Sequence, residues 1–344
     1  MKNNTPRNQE KNFEIYKQKK EKNIIEDEKI KNISIRKKIR PLLRMILKIQ
    51  RAFYNKKVTI LNFNNEFADK PIIYVVTHIG KWDFEIINEQ IKDNFYVIAS
   101  DFLNMNGNIN GIFMNANGVI FVDETSVEDR RNSKIILEKI LDSRENIMIF
   151  PEGTWNLSPN KIIYYPHFGA ASIALKKNAL IMPIAVEQYN NDEFVINMGK
   201  MIDPNIINMQ YNNKNYLELN EENNKDKLLK RKIILKLNEM IRDSLATLKY
   251  EIWESKGVEK RENINLNYWN NFIGERLKEW PGYSMGEQII NTCMSPDEQN
   301  YKKMLVEISK MKISDKNDFL FLDNEQFIKK YSKRLKWKVK CQFN

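Results

Sequence analysis

The sequence predicts an α/β fold: a largely parallel central sheet flanked by helices, with a basic amphipathic helix before it and a mainly helical extension after it. Three observations carry that expectation. Between residues 56 and 250, short apolar, β-rich runs alternate with stretches at helical spacing, the signature of a parallel sheet covered on both faces. The net charge of +11 is segregated: residues 1–57 carry 18 Lys/Arg against 6 Asp/Glu, whereas the remainder is balanced at 38 against 39. The composition is 42% apolar over 344 residues, which supports a substantial core and excludes a disordered chain.

Residues 1–34, rich in Lys, Asn and Glu, read as a charged tail, either a solvated helix or a mobile segment. From Ile35 the pattern changes. Ile35, Ile39, Leu42, Leu43, Ile46, Ile49 and Phe53 recur at helical spacing, surrounded by Arg36, Lys37, Lys38, Arg40, Arg44, Lys48 and Arg51. Residues 35–55 are therefore expected to form a basic amphipathic helix that Pro41 starts or kinks. Its apolar face would sit in lipid and its cations near anionic headgroups. The alternative is a helix packed on the body with a solvated basic face. Strands are expected at Ile72–Val76, Phe95–Ala99, Gly118–Val122, Ile147–Phe150, Ile181–Val186 and Phe194–Met198. Helices are expected at Phe84–Lys92, Asn132–Ser143 and Ala170–Asn178. Asn205–Asn224, polar and Asn-rich, reads as a loop or an irregular excursion, and Lys225–Trp253 as one long amphipathic helix. Residues 251–344 read as a mainly helical extension, interrupted at Pro281-Gly282.

Several function classes lose support. Cys293 and Cys341 are too few for a disulfide framework and fit a reducing, cytosol-facing location. The opening MKNNTPRNQEKN has no apolar signal core, and no run approaches the ~18 apolar residues of a membrane span. The balanced body argues against a nucleic-acid groove across it, so no nucleic-acid partner is expected. There is no His/Cys/Asp cluster with metal-ligand spacing and no G-x-S-x-G elbow.

The chemistry gathers in four blocks. In Val75-Val76-Thr77-His78-Ile79-Gly80-Lys81-Trp82-Asp83, one of only two histidines ends a strand. Positions five apart diverge by about 140° on a helix. His78 and Asp83 meet only if His78 lies on a loop, Gly80 permits a tight turn and Asp83 enters the first turn of the next helix. Asp83 would then fix the imidazole tautomer and leave the other nitrogen to accept a hydroxyl proton. Gly118–Asp123 is a strand ending in an acid. Phe150-Pro151-Glu152-Gly153-Thr154-Trp155 follows a strand and places a carboxylate, a flexible glycine and a hydroxyl at the same sheet edge. Leu180-Ile181-Met182-Pro183-Ile184 is a strand interrupted by proline.

These four blocks, in order and spacing, resemble the glycerolphosphate and lysophospholipid acyltransferase family over roughly residues 56–250, which become the acyltransferase domain. The resemblance implies His78 as general base, Asp83 as its orienting partner, and Asp123, Glu152, Gly153, Thr154 and Trp155 as acceptor-binding positions. It implies a fatty acyl donor, acyl-CoA or acyl carrier protein, a lysophospholipid-like, glycolipid or glycan hydroxyl acceptor, and no metal or other cofactor. A place in phospholipid biosynthesis, at the cytoplasmic face of the membrane, follows. Two positions depart from the family: Glu124 stands where an arginine follows the acid of the second block, and Trp155 where an arginine follows Thr154. Those arginines would grip a phosphate through forked hydrogen bonds, so an acceptor without a phosphomonoester is expected, unless Arg130, Arg131 or Lys161 compensate. His167, in Tyr165-Pro166-His167-Phe168-Gly169, takes a place where the family carries basic residues and reads mainly as structural. A membrane-bound scaffold that keeps the fold without turnover is the competing reading.

Overall fold

A computed structural model describes residues 6–25, 33–63, 68–80, 82–99, 109–123, 126–153, 156, 162–189, 192–210, 216–220 and 222–256. The expectations for residues 257–344, with Cys293 and Cys341, lie outside them, as do those for Glu124, Thr154, Trp155 and Lys161. The elements run α1 (Pro6–Ile25), α2 (Ile33–Phe53), β1 (Lys57–Ile60), β2 (Ile72–Val76), α3 (Asp83–Gln90), β3 (Phe95–Ala99), α4 (Ile109–Ala116), β4 (Val119–Phe121), α5 (Val127–Asp142), β5 (Asn146–Ile149), α6 (Gly169–Lys177), β6 (Leu180–Tyr189), β7 (Glu193–Met198), α7 (Asn205–Gln210) and α8 (Asn224–Lys256), with a short 3₁₀ turn at Tyr216–Glu218. The strands form one sheet in the order β1-β7-β6-β2-β5-β3-β4, parallel except for the β6–β7 hairpin. The expected α/β class, a largely parallel sheet flanked by helices, is what the chain adopts.

Alternation along the strands builds two cores. Ile73, Val75, Ile147 and Ile181 face α5, α6 and α8, meeting Ile140, Ile173, Ile241 and Leu245. Ile72, Tyr74, Val76, Met148 and Ile184 face the other way, toward Phe84, Ile86 and Ile87 of α3. Strand β2 is buried at all five positions and sits between β5 and β6. Pro183 is tolerated in the interior strand β6 because the β7 ladder begins only at Ile184↔Met198. Gly199 makes room beside it: a Cβ there would lie 3.0 Å from Pro183 Cγ and 3.0 Å from Leu248 Cδ1.

The N-terminal segment departs from the expected tail. Helix α1 docks across the sheet edge at β4. The Phe121 amide donates to Tyr16 Oη (3.1 Å), the Phe121 carbonyl accepts from Lys20 Nζ (3.0 Å), and Lys20 pairs with Asp129 at 2.6 Å. Helix α1 thereby occupies outward-facing backbone groups that an edge strand would otherwise leave open. Burial pushes the Tyr16 phenol up to about 12. Asn205–Asn224 is likewise not simply a polar loop. It contains α7 and the 3₁₀ turn, and buries Ile207, Tyr216 and Leu219. Strand β1 and helix α4 were not foreseen.

Helix α2 reverses half of its expected arrangement. Its arginines face the protein. Arg40 donates to the carbonyls of Asn88 (2.9 Å), Ile91 (2.8 Å) and Asp93 (3.1 Å), and to the Asn88 side chain. Arg44 donates to Glu89 O (2.8 Å), Arg51 to Glu89 Oε2 (2.6 Å), and Arg36 to Phe95 O (2.9 Å). Arg40, Arg44 and Arg51 stand at the C-terminus of α3, where unpaired carbonyls and the helix dipole favour positive charge. Leu43 and Leu47 are buried, whereas Ile35, Leu42, Met45, Ile46, Ile49 and Phe53 remain exposed, Phe53 at 79%. Among the described residues, no helix is long and apolar enough to cross a membrane.

Candidate active site

The strand order makes the site. Strands β6, β2 and β5 are neighbours, so the segments that follow β2 and β5 emerge side by side at the C-terminal edge of the parallel strands, where α/β sheets hold ligands. His78 leaves β2 one residue after Thr77, whose hydroxyl donates to Val186 O (3.2 Å) and accepts from Val186 N (2.8 Å), tying this exit to β6. Asp83 opens α3 and is fully buried. One of its oxygens, Oδ2, accepts from His78 Nδ1 (3.0 Å), Ile79 N (2.5 Å) and Gly80 N (2.9 Å). The carboxylate therefore shapes the turn and orients the ring together. Because the carboxylate accepts, Nδ1 carries the proton and the imidazole lone pair lies on Nε2. The ring stacks on Phe150, centroids 4.2 Å apart, and the His78 carbonyl accepts from Asn156 N at 2.6 Å.

Glu152 joins the two loops. Its Oε1 accepts the backbone amide of His78 (3.0 Å) and its Oε2 the amide of Tyr164 (2.8 Å). Burial raises its proton affinity above the ordinary carboxylate value. The charge of Lys249 is the largest opposing influence, followed by the two amides and His78. Glu152, expected to bind acceptor, is thus buried with both its oxygens on backbone amides of the two loops. Gly153 has φ of 71°, a left-handed conformation suited to glycine, and a Cβ there would lie 2.8 Å from the His167 ring. His167 is accordingly brought against this loop, its amide donating to Pro151 O at 2.7 Å.

Asp123 does not join the group. It follows β4, three strand positions from β2, which places it about 14 Å away at about 4.8 Å per strand. Its carboxylate pairs instead with Lys17 of α1 at 3.0 Å. The second block thus lies at the β4 edge of the sheet, apart from the loops that carry His78 and Glu152. Arg130 and Arg131 are exposed on α5, the helix after that same strand. Sequence reasoning did not foresee the buried pair of Lys249 and Glu187, 3.5 Å apart. The available signal was a lysine in the apolar stripe Ile241, Leu245, Lys249 and Ile252 of α8.

The sequence profile of the family described as Acyltransferase matches residues 55–187. A 1-acyl-sn-glycerol-3-phosphate acyltransferase of Borreliella burgdorferi is 26% identical over 155 residues, 45% of this chain and 60% of that protein. An uncharacterized acyltransferase of Schizosaccharomyces pombe is 28% identical over 153 residues, 41% of this chain and 53% of that one. The matched segments thus span little more than half of either relative. The crystal structure of the 1-acyl-sn-glycerophosphate acyltransferase PlsC from Thermotoga maritima is similar with a TM-score of 0.46 at 15% identity, covering 64% of this chain and 81% of that one. The profile match takes in β1 through most of β6 and includes His78, Asp83, Glu152 and His167, so residues 55–187 of the chain are similar to the Acyltransferase family.

Proposed function

We propose that this chain is a peripheral membrane O-acyltransferase that moves a fatty acyl group from acyl-CoA or acyl carrier protein to an acceptor hydroxyl. The observation that carries the reading is the buried Asp83 carboxylate holding His78 Nδ1 at 3.0 Å while also bonding the amides of Ile79 and Gly80. A thioester is already activated, so the site has mainly to sharpen and place the nucleophile. In the reaction, His78 Nε2 takes the acceptor hydroxyl proton as oxygen attacks the thioester carbonyl. The C–O bond forms, the C–S bond breaks, and the proton passes to the departing thiolate. General-base catalysis supplies about 10²–10⁴-fold and positioning adds to it.

The acceptor is a lysophospholipid-like lipid, a glycolipid or a glycan whose recognition does not depend on a phosphomonoester. Glu124 and Trp155 at the two arginine positions support this choice. A panel of lysophosphatidic acid, lysophospholipids with diester headgroups and neutral glycolipids tests it, with preference expected for the latter two groups. Strong transfer to lysophosphatidic acid without such a preference would contradict it. The exposed apolar residues of α2 support attachment to one membrane leaflet, and cytosolic acyl donors put that leaflet on the cytoplasmic side.

A further inference from the structure

The exposed apolar stripe of α2 leads to the candidate active site. Leu42, Ile46, Ile49 and Phe53 stand at i, i+4, i+7 and i+11, so they share one side of the helix over about 16 Å. All four are exposed although Leu43 and Leu47 on another side are buried, and Phe53 is the last helical residue. From there the stripe continues through ring contacts. Phe53 meets Tyr54 edge-on with centroids 5.3 Å apart, and Tyr54, itself half exposed, meets Trp82 edge-on at 5.2 Å. Trp82 immediately precedes Asp83, and its carbonyl accepts from Ile86 N at 2.9 Å, which fixes it at the start of α3. Lys56 sets its ammonium 5.4 Å from the Trp82 ring centre and 3.0 Å from Asp192 Oδ1. An apolar surface that passes into Tyr and Trp beside a lysine matches the layering of a leaflet, acyl chains first and headgroups next.

Accepting that α2 lies on the leaflet and that His78 takes the hydroxyl proton, we infer that Tyr54 and Trp82 form the lip over which the acceptor passes from the leaflet to His78. The acceptor is then lipid-borne, a lysophospholipid-like lipid or a glycolipid, and not a free glycan. Its chain stays along the α2 stripe while the hydroxyl-bearing headgroup crosses the two rings toward the residue pair that Asp83 closes. Lys56 places a cation beside that path, where it faces the charge of anionic headgroups. A CoA or carrier-protein thioester arrives from water and has no need of the lip.

The test uses the full chain on vesicles of phosphatidylcholine and phosphatidylglycerol. Lipids brominated near the top of the acyl chain quench tryptophans at the interface, and Trp82→Phe isolates the share that belongs to Trp82. The quenched fraction falls in Trp82→Phe; an unchanged fraction overturns the inference. Tyr54 stands beyond the helix end and half exposed, so Tyr54→Ser leaves the fold intact. With all protein bound, this variant raises KM about tenfold for an oleoyl lysophospholipid, counted as its mole fraction in the surface, the worth of one aromatic contact. Its kcat, and its KM for a hexanoyl lysophospholipid dissolved in water, stay within about twofold. Equal rises for both acceptors mark a structural change at the base and overturn the lip, as does no rise for either. A native protein that releases no thiol with any acceptor defeats the acyltransferase reading instead, and the quenching still decides whether Trp82 meets the leaflet. Failure of the native protein to sediment with vesicles defeats the membrane reading, and the lip with it.

Discussion

At His78 the arrangement asks one carboxylate to do two jobs. Asp83 Oδ2 holds both the ring nitrogen and the two amides that set the turn, so Asp83→Asn weakens orientation and local geometry together. The expected loss in kcat is about 10²–10³-fold with little change in KM, read from thiol release under saturating donor. A large rise in KM with kcat intact would mean that Asp83 serves binding. Glu152 makes a separate prediction. Its proton affinity is raised in the fold, so the folded protein binds that proton more tightly than the unfolded chain does. The contribution of this group to stability therefore grows as pH falls toward the ordinary carboxylate value, and is lost as pH rises through the folded value. The melting temperature of Glu152→Gln, measured relative to the native protein, should accordingly be lower at pH 5 than at pH 7.5. The pairing of His78 with Asp83 was legible in the sequence because Gly80 and a helix start fix it locally. The burial of Glu152 between the His78 and Tyr164 amides was not, since it depends on two strands meeting from distant parts of the chain.

Helix α2 carries the argument at the scale of the element. Its apolar spacing was plain in the sequence, but spacing alone does not say which face turns inward. The deciding partners are the carbonyls of Asn88, Glu89 and Ile91, which become acceptors only once α3 ends beside α2. Burial and the neighbouring Arg36 and Arg44 push the Arg40 guanidinium down to about 10, well within the charged range at neutral pH. Arg40→Leu strands several of those carbonyls and should lower stability by about 2–4 kcal/mol in denaturant unfolding. A change under about 0.5 kcal/mol would show that water satisfies them equally well. The outward face gives the complementary prediction. Ile46→Glu with Ile49→Glu should reduce binding to anionic vesicles at least tenfold while leaving unfolding midpoints within experimental error. Undiminished vesicle binding would remove α2 from the membrane contact.

Across the whole molecule, positive charge and chemistry are separated in sequence but share a scaffold. The +12 carried by residues 1–57 looked like a lipid-directed surface, yet much of it is engaged within the protein: Lys17 and Lys20 at the β4 edge, Lys37 at Glu145, and Arg36, Arg40, Arg44 and Arg51 along α2. Composition reports how many cations a segment has and not which are already paired, so this division was invisible before folding. Strands β2 to β7 were legible because apolar, β-rich runs mark them, whereas the short edge strand β1 was not. The separation of Asp123 from His78 was not, because strand order, unlike strand identity, is a property of the complete fold. What unites the scales is the claim that His78 takes the proton of an acceptor hydroxyl. The most direct measurement is thiol release from acyl-CoA or acyl carrier protein in the presence of candidate acceptors, comparing the native protein with His78→Ala. The account predicts acceptor-dependent release that falls by about 10³-fold or more in the variant. Equal release from both proteins, or none from either with every donor and acceptor class supplied, would contradict it, and the second result would favour a membrane-bound scaffold that has kept the fold without the reaction.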